Sequence, residues 1–397
     1  MSFVMTPLKD LLLKVEKWNP AKEAGDMLIK YIDLSSVDKD SKQLIADEVQ
    51  ELFGSNAPSR ARQLVSENDI LVATVRPNLN GVASVPCEFE GATASTGYCV
   101  LRVNEKLLDS KYLFYWVQTE LFVNDMISKA SGANYPAVSD KIIKDSKIPL
   151  PPLDEQKRIA AILDKADAIR QKRKQAIDLA DEFLRSVFLD MFGDPVTNPK
   201  GLSEAKLTEF ADVITGFAFK SAEYVEDDKV NVRLCRGANT LPGYFDWKDT
   251  AYWDSSKLSG IENYKINAGD VILAMDRPWI SSGLKVCVFP DNERDTYLVQ
   301  RVARMRPKNS LYTDYLYSSI LSKAFERHCC PTETTVPHIS PVELKNFSLL
   351  MPDEELLKKY NNAVTTVRKS KSAMEAAWLE SNHIFESLSQ KAFSGQL

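Results

Sequence analysis

The chain has little of what most enzymes use for chemistry. Its 397 residues include only three histidines, His328, His338 and His383, so general base catalysis at neutral pH has few candidates. The motifs GxxxxGK[ST], GxGxxG after a strand and HExxH are absent, as is the Asn/Asp-Pro-Pro-aromatic motif of amino-methyltransferases. We therefore expect no catalytic residues in this chain.

Cysteines spaced for metal binding or for a disulfide framework are also missing. The six cysteines show no CxxC spacing, which favours mostly buried thiols. Residues 328–330 and His338 form one cluster that could approach a metal ion, but adjacent cysteines rarely chelate a single zinc. Asp-x-Lys and Glu-x-Lys triplets such as residues 145–147 lack a suitably placed acidic partner. We expect no metal site and interpret the triplets as solvated surface.

Long apolar segments are missing as well. No apolar run reaches 18 residues, and residues 1–19 carry several charges, so we expect no membrane span, no signal peptide and a cytoplasmic protein. A hydrophobic content of 44% and a charged content of 26% are typical of globular chains. This length leaves room for two or three domains.

An excess of positive charge is absent too. The formal net charge is −5, whereas a domain that binds DNA alone by phosphate neutralisation is usually basic. DNA binding stays compatible with this charge if other subunits of a complex contact the phosphates. Basic residues do cluster locally, at Arg60 and Arg62, at Arg233 and Arg236, at Arg301, Arg304 and Arg306, and along residues 170–174.

What the sequence does contain is an internal repeat with an offset of 201 residues. Residues 69–77 and 270–278 share the pattern Asp, three aliphatics, Ala, two free positions and Arg-Pro. Two copies are too few for a solenoid, so we expect a pseudo-twofold molecule, and duplex DNA is the commonest partner with a twofold axis. Further identities at the same offset are Pro136 with Pro337, Ser139 with Ser340, Pro151 with Pro352, Ser186 with Ser387, and Phe192 with Phe393.

A long helix is predicted at the end of each copy. No Gly or Pro occurs between Pro152 and Gly193, and a second such segment runs from Pro352 to Phe393. Each helix of roughly 40 residues would be about 60 Å long, and taking Ile159 as heptad position a gives an apolar seam. We expect an antiparallel coiled coil, the alternative being two amphipathic helices that each pack on their own domain. The residues predicted for pairing or partner docking are Ile159, Ile162, Ile169, Phe183, Val187, Val367, Met374, Ile384 and Leu388.

The pattern predicts an α+β fold with two globular units joined by these helices. The predicted segments are residues 1–150, the helix within 151–195, residues 196–351 and the helix within 352–397. Short β-like runs at 70–75 and 271–275 and helical runs at 111–129 and 311–327 support a mixed fold. Between the repeated landmarks the two units differ almost completely, which suits two domains that recognise different sequences.

Candidate DNA contacts lie in loops that carry the side chains able to bind base edges and phosphates. Residues 131–135 and 332–336 occupy the same place before the repeated proline and differ between copies. An ordinary surface connection is the alternative for any one of these residues, and Arg76 and Arg277 could be structural, buried against Asp69 or Asp270 or packed by the following proline. The candidates are Arg60, Arg62, Asn78, Asn80, Asn134, Tyr135, Ser139, Lys220, Arg236, Trp279, Thr332, Thr334, Thr335 and His338.

The segment KIPLPPLDEQKRIAAILDKADAIRQKRKQ, residues 147–175, resembles the central conserved region of the specificity subunit of type I restriction-modification enzymes. Residues 31–37, 69–77 and 216–221 support the resemblance, which covers essentially the whole chain. The second helix departs from the pattern, since LMPDEEL stands at residues 350–356 where the first helix has LPPLDEQ.

The resemblance implies two target recognition domains, each contacting one half of a bipartite, asymmetric site on double-stranded DNA, with the helices setting the spacer. It also implies docking of two modification subunits, which carry S-adenosylmethionine and adenine methylation. Two restriction subunits would add ATP- and magnesium-dependent translocation and cleavage, so no cofactor is expected in this chain. The alternatives are a two-repeat scaffold that binds only protein, such as an orphaned or inhibitory subunit, and an enzyme in its own right.

Overall fold

The computed structural model describes residues 3–132, 134–330 and 338–397, which form two compact units. Unit 1 comprises Met1–Ala176 and Met374–Leu397, and unit 2 comprises Ile177–Ala373. Both long helices are therefore divided, one part of each belonging to either unit. Along the described part of the chain, no helix combines the length and apolarity needed to cross a membrane.

Unit 1 is a mixed α+β structure, as predicted. Its strands are β1 (Val4–Pro7), β2 (Leu12–Leu13), β3 (Leu28–Ile32), β4 (Val37–Asp38), β5 (Gln43–Leu44), β6 (Gln50–Phe53), β7 (Ala61–Leu64), β8 (Ile70–Ala73), β9 (Val82–Ser84), β10 (Thr93–Ser95), β11 (Tyr98–Val103) and β12 (Lys147–Leu150). Its helices are α1 (Pro20–Glu23), α2 (Ser110–Trp116), α3 (Glu120–Lys129), α4 (Asp140–Asp145) and the first part of α5 (Leu153–Phe192).

Unit 2 has the same mixture of elements. Its strands are β13 (Glu204–Lys206), β14 (Ala211–Thr215), β15 (Val232–Cys235), β16 (Thr240–Leu241), β17 (Tyr244–Phe245), β18 (Ala251–Trp253), β19 (Val271–Ala274), β20 (Trp279–Ile280), β21 (Gly283–Leu284), β22 (Val286–Val288), β23 (Thr296–Leu298), β24 (Val302–Pro307) and β25 (Ser348–Leu350). Its helices are α6 (Leu207–Phe210), α7 (Tyr312–Ile320), α8 (Lys323–Cys329), α9 (Pro341–Asn346) and the first part of α10 (Glu354–Ser394).

The strand order shows that the sequence repeat is a structural repeat. One sheet of unit 1 has the order β2-β11-β8-β9, and one sheet of unit 2 has the matching order β14-β24-β19-β22. In a second sheet of each unit, one parallel pair, β3 with β10 or β15 with β23, is flanked by an antiparallel strand. The two units therefore share a skeleton although their sequences between landmarks differ.

Each unit closes at its base with a two-stranded ladder that leads into a long helix. Strand β1 pairs antiparallel with β12, and β13 pairs antiparallel with β25. A buried tyrosine hydroxyl donates to the closing strand in both units, from Tyr112 to the Pro149 carbonyl at 2.8 Å and from Tyr315 to the Leu350 carbonyl at 2.6 Å. In each unit the first strand thus lies beside the strand that precedes the long helix.

The long helices pack antiparallel within each unit, as predicted. In unit 1, Arg170 of α5 lies over the ring of Phe385, and Arg173 donates to the Ala377 carbonyl. In unit 2, Asp181 binds Lys371, and further along α5 the rings of Phe192 and Tyr360 lie 5.1 Å apart. In both units, positions later in α5 contact positions earlier in α10, so the two helices run in opposite directions.

The end of each long helix completes the core of the unit formed by the other copy. Phe393, at the end of the second copy, lies in the unit 1 core 5.0 Å from the ring of Tyr112. Phe192, at the equivalent position of the first copy, lies in the unit 2 core 4.9 Å from the ring of Tyr315. Both rings are almost completely buried.

The predicted register of the helix seam is half wrong. Ile159, Val187, Val367, Met374 and Leu388 are buried or half-buried, as a seam requires. Ile169, Phe183 and Ile384 are about half exposed, while Ile162 is half-buried beside the fully buried Leu163. The next positions along, Leu163, Arg170, Ile177, Leu184 and Phe385, are the more buried ones. The seam therefore advances by four and then three residues from Ile159, not by three and then four.

The predicted helical runs before the long helices each consist of two helices. The segment 111–129 divides into α2 and α3, and the segment 311–327 divides into α7 and α8. In both places the second helix starts at a side-chain cap, Thr119 for α3 and Ser322 for α8. A hydroxyl that accepts from the third residue of the helix is a typical helix start, and it marks the break.

Candidate nucleic-acid interface

The turn after the central strand of each unit presents an arginine on a left-handed backbone. Arg76 has a φ of 52° and Arg277 a φ of 44°, a conformation that costs a residue with a side chain about 1–2 kcal/mol. Strained positions of this kind are enriched at functional sites. Three backbone hydrogen bonds surround the turn in each unit, each written here from the amide to the carbonyl. In unit 1 they run from Ala73 to Gly81, from Thr74 to Gly97 and from Val138 to Thr74. In unit 2 they run from Ala274 to Lys285, from Met275 to Arg301 and from Ile339 to Met275.

Arg76 faces solvent in unit 1. Its guanidinium lies 4.8 Å from the centroid of the Tyr135 ring, and its amide donates to the Pro136 carbonyl at 2.7 Å. Tyr135 is itself 66% exposed, and Asn134 beside it is exposed. The turn and the loop before Pro136 therefore form one exposed surface that offers a cation, an amide and an aromatic ring.

The suggestion that Arg76 and Arg277 are buried against Asp69 and Asp270 is wrong. Asp69 accepts from Nε and Nη2 of Arg102 at 3.0 and 2.7 Å. Asp270 accepts in the same way from Arg306 at 2.9 and 2.8 Å. The aspartates that begin the repeated motif are thus structural, and the arginines that end it are exposed.

The remaining unit 1 candidates fall into two groups. Arg60 and Asn78 are exposed and make no side-chain hydrogen bond or ion pair among the described residues. Arg62 donates to its neighbouring carbonyl at Ala61, and Asn80 donates through Nδ2 to the Gln118 carbonyl at 3.2 Å. Ser139 caps α4, where its hydroxyl accepts from the Ile142 amide at 3.3 Å. The side chains of Arg60 and Asn78 are thus available to contact DNA, whereas those of Arg62, Asn80 and Ser139 form hydrogen bonds within the unit.

The unit 2 candidates are spread over separate places. Lys220 is exposed, with its ammonium 3.7 Å from Glu223, and Arg236 is tied to Asp249 at 3.3 Å. Trp279 is half-buried and packs on the unit 2 core. His338 binds Asp276 through Nδ1 at 2.5 Å. Thr332, Thr334 and Thr335 lie outside the described residues, and DNA contact by any of the candidates stays a prediction.

Arg233, Arg304 and Arg306, from two of the basic clusters seen in the sequence, have structural roles. Arg233 is buried, donates to the Thr296 hydroxyl at 3.1 Å and stacks 3.7 Å from the centroid of the Trp247 ring. Arg304 is 5% exposed and donates to backbone carbonyls at Asn263 and Lys265. Of the cluster at 301–306, only Arg301 is exposed.

A recess next to the Arg277 turn gathers several charges in unit 2. Arg301 donates to one oxygen of Asp276 at 2.6 Å while His338 binds the other. Burial raises the pKa of the Asp276 carboxyl, but the hydrogen bond and charge of Arg301, helped by His338, outweigh it, so this pKa lies below its usual value. The residues that line the recess are Gly237, Ala238, Asp276, Arg277, Lys285, Arg301 and His338.

Lys285 and Arg301 were missed as candidates from the sequence. Lys285 lies 204 residues after Gly81, its structural equivalent, because the β20–β21 hairpin lengthens the second copy. A comparison at the fixed offset of 201 therefore never places Lys285 beside the repeated turn. Lys285 directly follows β21, three residues after the hairpin turn at 281–282, and no pattern in the sequence singles it out.

The thiols and histidines offer no metal site in the described residues. No group of three or more His, Cys, Asp or Glu side chains is arranged there to hold an ion. Burial raises the pKa of Cys99, Cys235 and Cys329 to about 12, so these thiols stay protonated and inert.

Comparison with protein families gives a match over part of the chain. Residues 60–179 match the family model described as the type I restriction modification DNA specificity domain. This segment contains the repeated Asp-to-Arg-Pro motif of unit 1 and the first part of α5.

Similarity to individual proteins extends further. The specificity subunit of type I restriction enzyme MjaVIII from Methanocaldococcus jannaschii is 27% identical over 79% of this chain and 77% of that protein. A solved structure from work on complex assembly and conformational transition of the type I R-M system aligns over 100% of this chain and 98% of its own, with a TM-score of 0.58 and 23% identity. The S subunit of a type I restriction-modification system from M. genitalium aligns over 98% and 96%, with a TM-score of 0.54 and 13% identity, and like the former it shows the fold alone.

Proposed function

Because this chain belongs to the specificity subunits of type I restriction-modification enzymes, we propose that it recognises the DNA sequence for such an enzyme. Each unit would bind one half of a bipartite, asymmetric site in double-stranded DNA. Base edges in the major groove would supply the sequence information, and contacts to phosphates would fix the register.

The observation that carries this proposal is the repeated turn with different surroundings. Arg76 and Arg277 stand on the same hydrogen-bonded backbone frame, so both units present a cation in an equivalent way. The neighbours of the two arginines differ, with Tyr135 beside Arg76 and a charged recess beside Arg277. One frame with two different surfaces suits one mode of DNA binding applied to two different half-sites.

Genome-wide mapping of methylated adenines tests the proposal. We expect one bipartite, asymmetric motif in a host that carries this gene and its modification subunits, and loss of that motif when the gene is deleted. Replacement of Arg76, Asn78 and Tyr135 by alanine should alter one half of the motif and leave the other unchanged. A methylation pattern that does not depend on this gene would contradict the proposal and favour a scaffold that binds only protein.

We further propose that two modification subunits dock on the long helices. Phe183 on α5 and Ile384 on α10 are equivalent positions of the two copies, and their side chains are 55% and 49% exposed. Ile169 on α5 is half exposed as well. Exposed apolar side chains on helices whose other faces are already packed are typical of protein interfaces.

Aspartate substitutions test the docking surface. Phe183→Asp and Ile384→Asp should each reduce copurification of modification subunits, because a charge would have to be buried in the interface. Leu121→Asp on α3 is the matched control, since Leu121 is an exposed apolar residue outside the long helices. Equal copurification of all three variants with wild-type yield would exclude these positions from the interface.

The helices would also set the length of DNA between the two half-sites. Deleting residues 171–177 and 374–380 removes one heptad from each helix at positions that pack on each other, as the Arg173–Ala377 contact shows. Seven residues span about 10 Å of helix, so we expect a spacer shorter by about three base pairs at about 3.4 Å each. A methylated motif with an unchanged spacer would remove this role from the helices.

The chemistry of the enzyme would reside on other subunits. The relatives are specificity subunits, and we assign S-adenosylmethionine and adenine methylation to the two modification subunits. Two restriction subunits would use ATP and magnesium for translocation and cleavage. A complex of this kind acts on cellular DNA, so we infer a cytoplasmic location without membrane contact. Methylation by the purified chain alone, with S-adenosylmethionine, would overturn this assignment.

A further inference from the structure

The backbone frame around the repeated arginine differs between units in its side chains. The matched hydrogen bonds make each residue of unit 1 equivalent to one of unit 2. In unit 1 the arginine is the only ionisable residue of the five, and in unit 2 all five are ionisable. The equivalent pairs are Val75 and Asp276, Arg76 and Arg277, Gly81 and Lys285, Gly97 and Arg301, and Ala137 and His338.

Positive charge exceeds negative charge in the unit 2 recess. Asp276 is the only acid among the described residues that line it, and both of its oxygens are already bound by Arg301 and His338. Arg277 and Lys285 make no ion pair and no side-chain hydrogen bond within the described ranges 3–132, 134–330 and 338–397. Two cations of this recess thus have no direct ion-pair or hydrogen-bond partner in the described protein.

Lys285 is the more telling of the two cations because it is half-buried. Its ammonium lies over Gly237, where a Cβ would stand 3.9 Å from Nζ. Burial lowers the pKa of Lys285, and the charge of Asp276 opposes this only in part. A half-buried ammonium without a partner is unfavourable, and an anion that enters the recess would remove that cost.

The arrangement fits a phosphate better than a base edge. Guanine offers two acceptors, which one arginine satisfies by itself. A phosphodiester group carries a full negative charge that cations at different angles can share, and lysine binds phosphate as a point charge. The recess offers the exposed Arg277 and the half-buried Lys285, which is a combination suited to a charged oxygen group.

We propose that the recess formed by Arg277, Lys285 and Gly237 binds a backbone phosphate of the DNA half-site contacted by unit 2, and that unit 1 has no equivalent phosphate site. This inference rests on the proposed function, since it assumes that unit 2 binds DNA. The two units would then bind their half-sites differently. Unit 2 would bind a DNA phosphate with two cations, at the place where unit 1 presents Arg76 and an aromatic ring.

Salt dependence of DNA binding tests the inference in the full chain assembled with its modification subunits. Removing one phosphate contact should reduce the slope of log affinity against log salt concentration by about 0.9. We expect this change for the double variant Arg277→Gln and Lys285→Gln. The ratio of wild-type to variant affinity should then be roughly eightfold larger at 0.1 M salt than at 1 M salt. The loss should be equal for the cognate duplex and for a scrambled duplex.

The matched control removes two positive charges from unit 2 elsewhere. Lys257 and Lys323 are exposed, lie outside the long helices and pair with Glu223 and Glu326, so replacing both by glutamine should leave the slope unchanged. The melting temperature of each variant, compared with wild type, separates lost binding from lost folding. The variant Lys285→Arg keeps the positive charge, so its slope of log affinity against log salt concentration should stay close to that of wild type.

Three results would overturn the inference, and each has a different meaning. A wild-type slope in the glutamine double variant, with specific binding intact, would remove the phosphate site and leave the proposed function standing. A change confined to one base pair of the motif would assign the recess to base recognition. Binding of inorganic phosphate that depends on Lys285, with an unchanged DNA slope, would assign it to a small anion. Absence of DNA binding by the wild-type complex would instead refute the proposed function.

Discussion

Arginine is a poor choice for a left-handed backbone position unless its side chain is needed there. Glycine would adopt the φ of 52° at Arg76 without strain, yet both copies keep arginine. The sequence repeat revealed these arginines but could not assign their role. It also hid the partner of Asp69, because Arg102 is equivalent to Arg306 at an offset of 204 residues, whereas position 303 is Ala303.

Replacing Arg76 should separate stability from binding. Arg76→Gly removes backbone strain and Arg76→Ala keeps it, so we expect the free energy of unfolding to be about 1 kcal/mol higher for the glycine variant. Both variants lose the guanidinium and should bind DNA equally weakly. Chemical denaturation and a DNA binding assay on the two variants check this. Wild-type DNA affinity in either variant would make Arg76 a purely structural residue.

The buried pair of Asp69 and Arg102 should matter far more for stability than a surface pair. The Asp69 side chain is 2% exposed and also accepts from the Ser66 amide at 2.8 Å. Asp69→Ala should lower the free energy of unfolding of unit 1 by about 3 kcal/mol. The control Asp125→Ala breaks the exposed pair with Lys129 and should cost less than about 1 kcal/mol. Similar thermal shifts in both variants would contradict this.

At the scale of elements, proline and periodicity predicted the two long helices well. The helices span Leu153–Phe192 and Glu354–Ser394, close to the limits set by Pro152, Gly193 and Pro352. The seam could not be predicted, because the true register places Arg170 in it. Arg170 is half-buried, its guanidinium stacks 4.6 Å from the Phe385 ring, and Asp167 neutralises it. When a helix pattern is searched for apolar seam positions, a charged residue that packs on an aromatic ring counts against the correct register.

Two phenylalanines on the same helix should respond in opposite ways to truncation. Phe192 is fully buried against Tyr315 and Tyr360, so Phe192→Ala should destabilise unit 2 by about 3–5 kcal/mol. Phe183→Ala removes a ring that is 55% exposed, so it should change stability by less than about 1 kcal/mol and weaken the binding of modification subunits. Unfolding curves and copurification of the two variants measure both effects. A large loss of stability in Phe183→Ala would place it in the folded core.

At the scale of the molecule, sequence position and structural unit are not the same thing. Residues 374–397 belong to unit 1, although they are separated from its other residues by the whole of unit 2. The repeat and the long helices could be predicted from the sequence. That the last helix residues complete a core could not, because apolar periodicity shows that a helix has a partner but does not show that its end is buried in a folded unit.

Removing residues 374–397 should therefore damage the opposite end of the chain. The deletion takes Phe385, Ala392 and Phe393 from the core of unit 1, and we expect strands β8 and β11 to lose hydrogen-exchange protection. Strands β19 and β24 of unit 2 should keep theirs. Ile384→Ala in the complete chain is the control, since this side chain is half exposed. Loss of protection in unit 2 alone would contradict the division of the chain.

The exchange of helix ends also fixes the order in which a ribosome can complete the two units. Unit 2 has all its residues once Ala373 is synthesised, whereas unit 1 must wait for the last segment, about 220 residues after Ala176. At about 5–20 residues per second this delay is roughly 10–45 seconds. During that interval the apolar surface around Tyr112 and Trp116 lacks the ring of Phe393. The half of the protein that is made first is thus the half that folds last, and it is the nascent surface that a chaperone would have to protect.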